Sequence, residues 1–170
     1  MRIFITSVLV FLNFILQSTV FVHFEIFSIR PNTALIIIVC LSILRSDSEG
    51  AAIGFFSGLL HDIAFGKALG FYALLCMIIG FICGKPFKDF YRENYLLPLF
   101  LVVGASFFYE FAVYIFAFLF QGHVDVFYYF RRIIVPAVCY NAFLTFPIFR
   151  LIYSINSFLE SRENPRRKLF

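Results

Sequence analysis

The feature that most constrains this chain is the near-continuity of its apolar runs. Between residues 3 and 158 the sequence is a succession of long apolar stretches. They are broken only at Arg30-Pro31, Arg45 to Glu49, Gly66-Lys67, Lys85 to Asn94 and a segment after Gln121-Gly122. A water-exposed helix needs a polar face and a half-exposed strand needs alternation, and these stretches offer neither. Soluble domains are about 45–50% apolar and about 25% charged. This chain of 170 residues is 62% apolar and 14% charged. A globule of this size has too much surface to hide that fraction from water. Disorder, which needs low hydrophobicity, is excluded as well. The solvent implied is a bilayer, and at about 20 residues per crossing the apolar content supplies five or six helices. The fold class is all-α: a polytopic membrane protein with a six-helix transmembrane bundle, residues 1–170 forming one integral domain.

The six spans are placed at about 3–24, 32–45, 50–65, 68–84, 96–120 and 132–158, with a basic tail over 159–170. Span two is short for a full crossing and needs either a snorkelling Arg45 or shielding by neighbours. Ser46 followed by Glu49 fits a capping box, and Asp47 and Glu49 suit the positive end of a helix dipole. Pro98 falls in the first turn of span five, where proline is tolerated. Pro136 and Pro147 fall inside span six. The aromatic connection over 123–130 reads as an amphipathic segment suited to a membrane surface.

An even number of spans puts both termini on one side. With that side cytoplasmic, ten of the 14 Lys and Arg face inward and four, Arg30, Lys67, Arg131 and Arg132, face outward. This is the positive-inside bias, so both ends are placed in the cytoplasm of a multi-pass inner-membrane protein. The net charge of +4 is scattered over short loops and a tail, which does not make a nucleic-acid footprint. The four cysteines form no CxxC and read as small buried hydrophobes.

Glycine is concentrated in spans three and four. Gly50, Gly54 and Gly58 repeat at intervals of four, Asp62 continues the series, and Gly80 and Gly84 repeat the interval. Steps of four drift only about 40° around a helix, so these residues form a stripe of small side chains. Such a stripe lets helix backbones approach, either within the bundle or against a partner's helix. Asp62 and Glu110 are carboxylates inside predicted spans. They read as interhelical glue or as a proton or ligand site. Arg131 and Arg132 enter span six from the side on which Asp62 lies, so an ion pair across spans three and six is expected. Asn13, Gln17 and Asn141 complete the sparse intramembrane polar set.

His23, His61 and His123 gather at the predicted outer face without metal-ligand spacing. There is no GxSxG, P-loop or dinucleotide-binding glycine pattern, so neither catalysis nor a cofactor is expected. A channel or ion carrier would rest on Glu110 and Asp62 alone.

Several local patterns occur together: Leu16-Gln17-Ser18-Thr19 in span one, and Arg30-Pro31-Asn32 and Leu44-Arg45 around span two. Span three carries the stretch from Gly50 to Leu59-Leu60-His61-Asp62, followed by Gly66, Leu69 and Gly70. Span six carries Pro136, Tyr140-Asn141 and Pro147. This arrangement resembles the rod shape-determining protein MreD family over nearly the whole chain. The resemblance implies a non-enzymatic component of the bacterial cell-elongation machinery that directs peptidoglycan synthesis. Its implied partners are an MreC-like protein, a RodA-type polymerase and a class B penicillin-binding protein, and indirectly MreB, within a lipid membrane. It also implies a bundle like the substrate-binding S component of energy-coupling-factor transporters. That likeness supplies the alternative function, a small-molecule-binding subunit of a vitamin transporter. Such a subunit needs several polar groups converging in a pocket, and few are present here.

Overall fold

The computed structural model describes residues 2–19, 31–65, 69–84, 96–121 and 126–163. All regular structure among them is helical: α1 (Arg2–Thr19), α2 (Thr33–Leu44), α3 (Asp47–Phe65), α4 (Phe71–Gly84), α5 (Leu96–Gln121), α6 (Val126–Tyr129) and α7 (Val135–Glu163). One π-helical turn, Phe130–Ile134, joins α6 to α7, so these form one long final helix and the described residues make six helices in all. The wide turn immediately precedes Pro136. Proline has no N–H and its ring crowds the carbonyl four residues back, and opening the turn relieves both. The segment expected as a separate surface connection is therefore, from Val126 onward, the beginning of the last helix. It packs on α5 through Tyr129 against Tyr114 (ring centroids 4.9 Å apart) and Phe130 against Phe107 (6.1 Å). Residues 123–125 of that connection lie outside the described residues.

Helix α2 is the axis of the bundle. It packs against α1, α3, α4, α5 and α7, and every residue from Leu35 to Leu44 is buried. Its 12 residues reach only about 18 Å, and protein shields it on all sides. Asn32 starts it, its Oδ1 accepting from the N–H of Leu35 at 3.1 Å. Ser46 starts α3 in the same way, its Oγ accepting from Glu49 N–H at 3.4 Å.

Polar contacts fix the helix directions. Asn32 meets Asn141, and Arg45 meets Asn156, so α2 and α7 run parallel. Gly50 lies against Gly80 and Gly58 against Tyr72, so α3 and α4 run antiparallel. Gln17 reaches Thr33 while Phe4 shares a groove with Arg45, which opposes α1 to α2. Ser106 meets Asn141 while Leu99 lies near Ser157, which opposes α5 to α7. Gly50 lies back against Ser42, which opposes α3 to α2, so α1, α3 and α5 run one way, and α2, α4 and α7 the other.

The outer surface of the molecule is apolar where that of a soluble protein is polar, and several polar side chains are buried within an otherwise apolar core. Its outer surface carries Phe4, Phe100 and Phe143, each at least 71% exposed, with Phe56, Ile82 and Leu151 more than half exposed. Its interior holds Asp62, Asn141, Ser106, Thr33 and Ser42, each 2% exposed or less. Two stretches, Leu96–Phe116 and Phe127–Leu159, are long and apolar enough to cross a membrane, and Phe4–Thr19, Thr33–Leu44 and Phe71–Gly84 are shorter apolar helices.

Candidate functional site

The residues singled out in the sequence fall into two groups. The first is the glycine stripe, which lies along the α3–α4 contact. A methyl group on Gly54 would run into the carbonyl of Cys76, and one on Gly58 into the backbone of Tyr72 and Ala73. The relation is reciprocal: a Cβ on Gly80 would strike the carbonyl of Gly50, and one on Gly84 the backbone of Asp47. At Gly50 a Cβ would meet Ser42 of α2 and, at 2.7 Å, the carbonyl of Gly80. Here the two helices touch backbone to backbone, which only residues without side chains permit.

The second group is polar. Asp62, one turn beyond Gly58, is 1% exposed. Its carboxylate accepts from the backbone N–H groups of Gly70 (3.1 Å), Tyr72 (3.1 Å) and Ala73 (2.9 Å). These are free donors at the start of α4. Gly70 occupies the cap position with φ +97°, so a side chain there would be strained. Asp62 supplies the missing cap from the preceding helix, and its charge lies at the positive end of the α4 dipole. This corrects the expectation of an ion pair with Arg131 or Arg132. Both arginine side chains are exposed on the π turn, and Arg132 lies over the ring of Tyr128 at 5.6 Å. Among the described residues neither pairs with Asp62, whose oxygens are already committed to backbone donors.

Asn141 of α7 lies at the meeting point of three helices. Its Oδ1 accepts from Asn32 N–H at 2.9 Å, and its Nδ2 donates to Ser106 Oγ of α5 at 3.1 Å. Thr33 Oγ1 adds a long 3.5 Å contact to Gln17 of α1. At the far end of α2, Arg45 Nε donates to Asn156 Oδ1 at 3.3 Å and a guanidinium nitrogen lies 3.6 Å from Glu49. Both ends of α2 are thus held by asparagines of α7. Asn141 was visible in the sequence and Asn32 only as part of Arg30-Pro31-Asn32, whereas Ser106 and Asn156 were not singled out. A second polar residue 15 positions beyond Asn141 on the same apolar helix was the available signal.

Glu110 is half-buried on α5 and makes no hydrogen bond or ion pair among the described residues. Tyr72, Tyr109 and Tyr129 lie within electrostatic range of it. His61 packs edge-on against Tyr72, ring centroids 4.9 Å apart. His23 and His123, expected beside it, lie outside the described residues.

These features define an all-helical bundle, apolar outside, whose polar side chains mostly serve to join helices. Residues 1–156 match the family model for the rod shape-determining protein MreD, and the chain belongs to that family. The family is one of bacterial membrane proteins and gives this chain a role in determining rod shape. No curated protein and no solved structure matches the chain.

Proposed function

We propose that this protein is a non-enzymatic scaffold of the cell-elongation machinery, crossing the inner membrane six times with both termini in the cytoplasm. The observation that carries the reading is the apolar exterior: the buried polar groups are mostly spent on joining helices, and the exterior is a wall of phenylalanine and aliphatic side chains. A surface of that kind acts by holding other membrane helices or by biasing their arrangement. The alternating helix directions support six crossings, and the inward excess of Lys and Arg supports the orientation. Membership of the family supports an MreC-type partner, and through it a RodA-type polymerase and a class B penicillin-binding protein.

Depletion in a rod-shaped host tests the function. Rods are expected to round and swell, and the tagged protein to capture the MreC-type partner from detergent-solubilised membranes. Rods that keep their shape when one vitamin is supplied, with capture of ATPase subunits instead, would replace the scaffold with the transporter-subunit reading.

A further inference from the structure

Between the first turns of α5 and the second half of α7 lies a cavity of about 900 Å³. Arg150, Tyr153, Ser154 and Ser157 line one wall, with Leu99 and Phe146 beside them. The four α7 residues recur at steps of three, four and seven, so they share one helix face. All four are exposed. Arg150, Ser154 and Ser157 make no hydrogen bond or ion pair among the described residues, and the lining contains no carboxylate. Among the described residues, the cavity therefore carries one positive charge without a counter-charge, beside two hydroxyl donors.

The depth of that charge follows from the α2–α7 register. Arg45, just past the end of α2, meets Asn156. Arg150 lies six residues earlier on α7 and so about 9 Å further into the bundle. A cation placed inside the hydrocarbon costs about 2.5–3.5 kcal/mol at the centre of a helix. The other deep polar groups described above mostly have protein partners, whereas this one opens to the exterior.

We propose that this cavity seats the phosphate of an anionic phospholipid of the cytoplasmic leaflet. The inference rests on the orientation given under Proposed function. A guanidinium fork matches two phosphate oxygens, and the hydroxyls of Ser154 and Ser157 supply donors for the remainder. The neighbouring Leu99 and Phe146 give an acyl chain an apolar wall. A phospholipid supplies both chemistries in one molecule, which free phosphate does not.

The chain contains no tryptophan, so a single introduced indole reports on the cavity. Phe146→Trp would be placed in the full-length protein in phosphatidylcholine nanodiscs, with Phe108→Trp on the outer face of α5 as the reference. Brominated phosphatidylglycerol is expected to quench the Phe146→Trp variant at about fivefold lower mole fraction than brominated phosphatidylcholine. The Phe108→Trp variant is expected to show no preference. The preference at the cavity should vanish with Arg150→Gln, persist with Arg150→Lys, weaken in the Ser154→Ala/Ser157→Ala double variant, and resist added inorganic phosphate. Should Arg150→Gln fail to fold, the serine double variant and the phosphate competition decide. Equal quenching of the Phe146→Trp variant by both lipids, or a preference indifferent to position 150 and to the serines, overturns the proposal. Equal quenching combined with loss of partner capture in Arg150→Gln would assign the cavity to an acidic partner helix instead. Absence of quenching at both positions by any brominated lipid would overturn the membrane reading itself.

Discussion

The α3–α4 seam and the α2–α5–α7 junction hold helices together by opposite means. In the seam, Gly50, Gly54, Gly58, Gly80 and Gly84 remove side chains so that backbones touch. At the junction, the side chains of Asn141 and Ser106 reach across the gaps, Asn141 to the backbone N–H of Asn32 and to the Ser106 hydroxyl. Both answer one physical problem. Where the surroundings are as apolar as the helix surface, the hydrophobic effect gives helices no reason to associate, and close packing and interhelical hydrogen bonds must do so. The comparison implies that the seam is sensitive to volume and indifferent to polarity, and that the junction is the reverse. Asp62 belongs to both: it continues the glycine stripe and ends it with hydrogen bonds.

The largest effect is expected from Gly54→Leu or Gly80→Leu. Each drives a side chain into the backbone of the facing helix, and a cost of about 3 kcal/mol or more is expected from overpacking with no flexible neighbour to yield. Thermal unfolding in detergent would read this. Gly54→Ala should also destabilise, because the obstacle is the Cys76 carbonyl itself. Next comes Asp62→Ala, which leaves three N–H groups at the start of α4 without an acceptor, at about 2–3 kcal/mol. Asp62→Asn keeps one acceptor oxygen and should lie between the alanine variant and the parent. Equal melting of all three would remove the cap from the account.

Much of this was legible in the sequence, for a reason the seam makes plain. Glycine spacing, capping residues and apolar runs are local, so the stripe at 50, 54 and 58 and the Ser46 start of α3 follow from neighbours in the chain. The junction is not local. Asn32 and Asn141 are 109 residues apart, and Arg45 and Asn156 are 111 apart. No pattern near any of them names its partner. Asp62 shows the same limit at short range. Its charge and its side of the bundle were readable, but its partners depend on Gly70 taking a positive φ and on the turn closing back. The arginines were therefore the visible counter-charges, and the backbone donors were the real ones. The apolar run of α2 was equally ambiguous, since hydropathy does not distinguish burial in lipid from burial in protein.

Asn141→Leu sharpens the comparison from the other side. It preserves bulk and removes both interhelical bonds of the side chain, so a loss of about 1–2 kcal/mol is expected. Ser106→Ala in the Asn141→Leu background should add little, and a double-mutant cycle would show the coupling. The smallest effect is expected at Gly104, where an added Cβ meets nothing within 4 Å. Gly104→Ala should raise stability by up to about 1 kcal/mol through helix propensity alone. A destabilised Gly104→Ala would mean that glycine on these helices matters for reasons other than contact.

Seam and junction alike presuppose that every helix crosses the membrane, including the 12-residue α2. Impermeant thiol labelling of intact cells tests this most directly, in a background lacking the native cysteines. Single cysteines would replace Ser48 at the α2–α3 end, Leu69 at the α3–α4 end, and Gln121 and Arg166. Leu69→Cys and Gln121→Cys are expected to label in intact cells, and Ser48→Cys and Arg166→Cys only after permeabilisation. Labelling of Ser48→Cys and Leu69→Cys from the same side would show that α3 does not cross, and would contradict the six-crossing bundle on which the account stands.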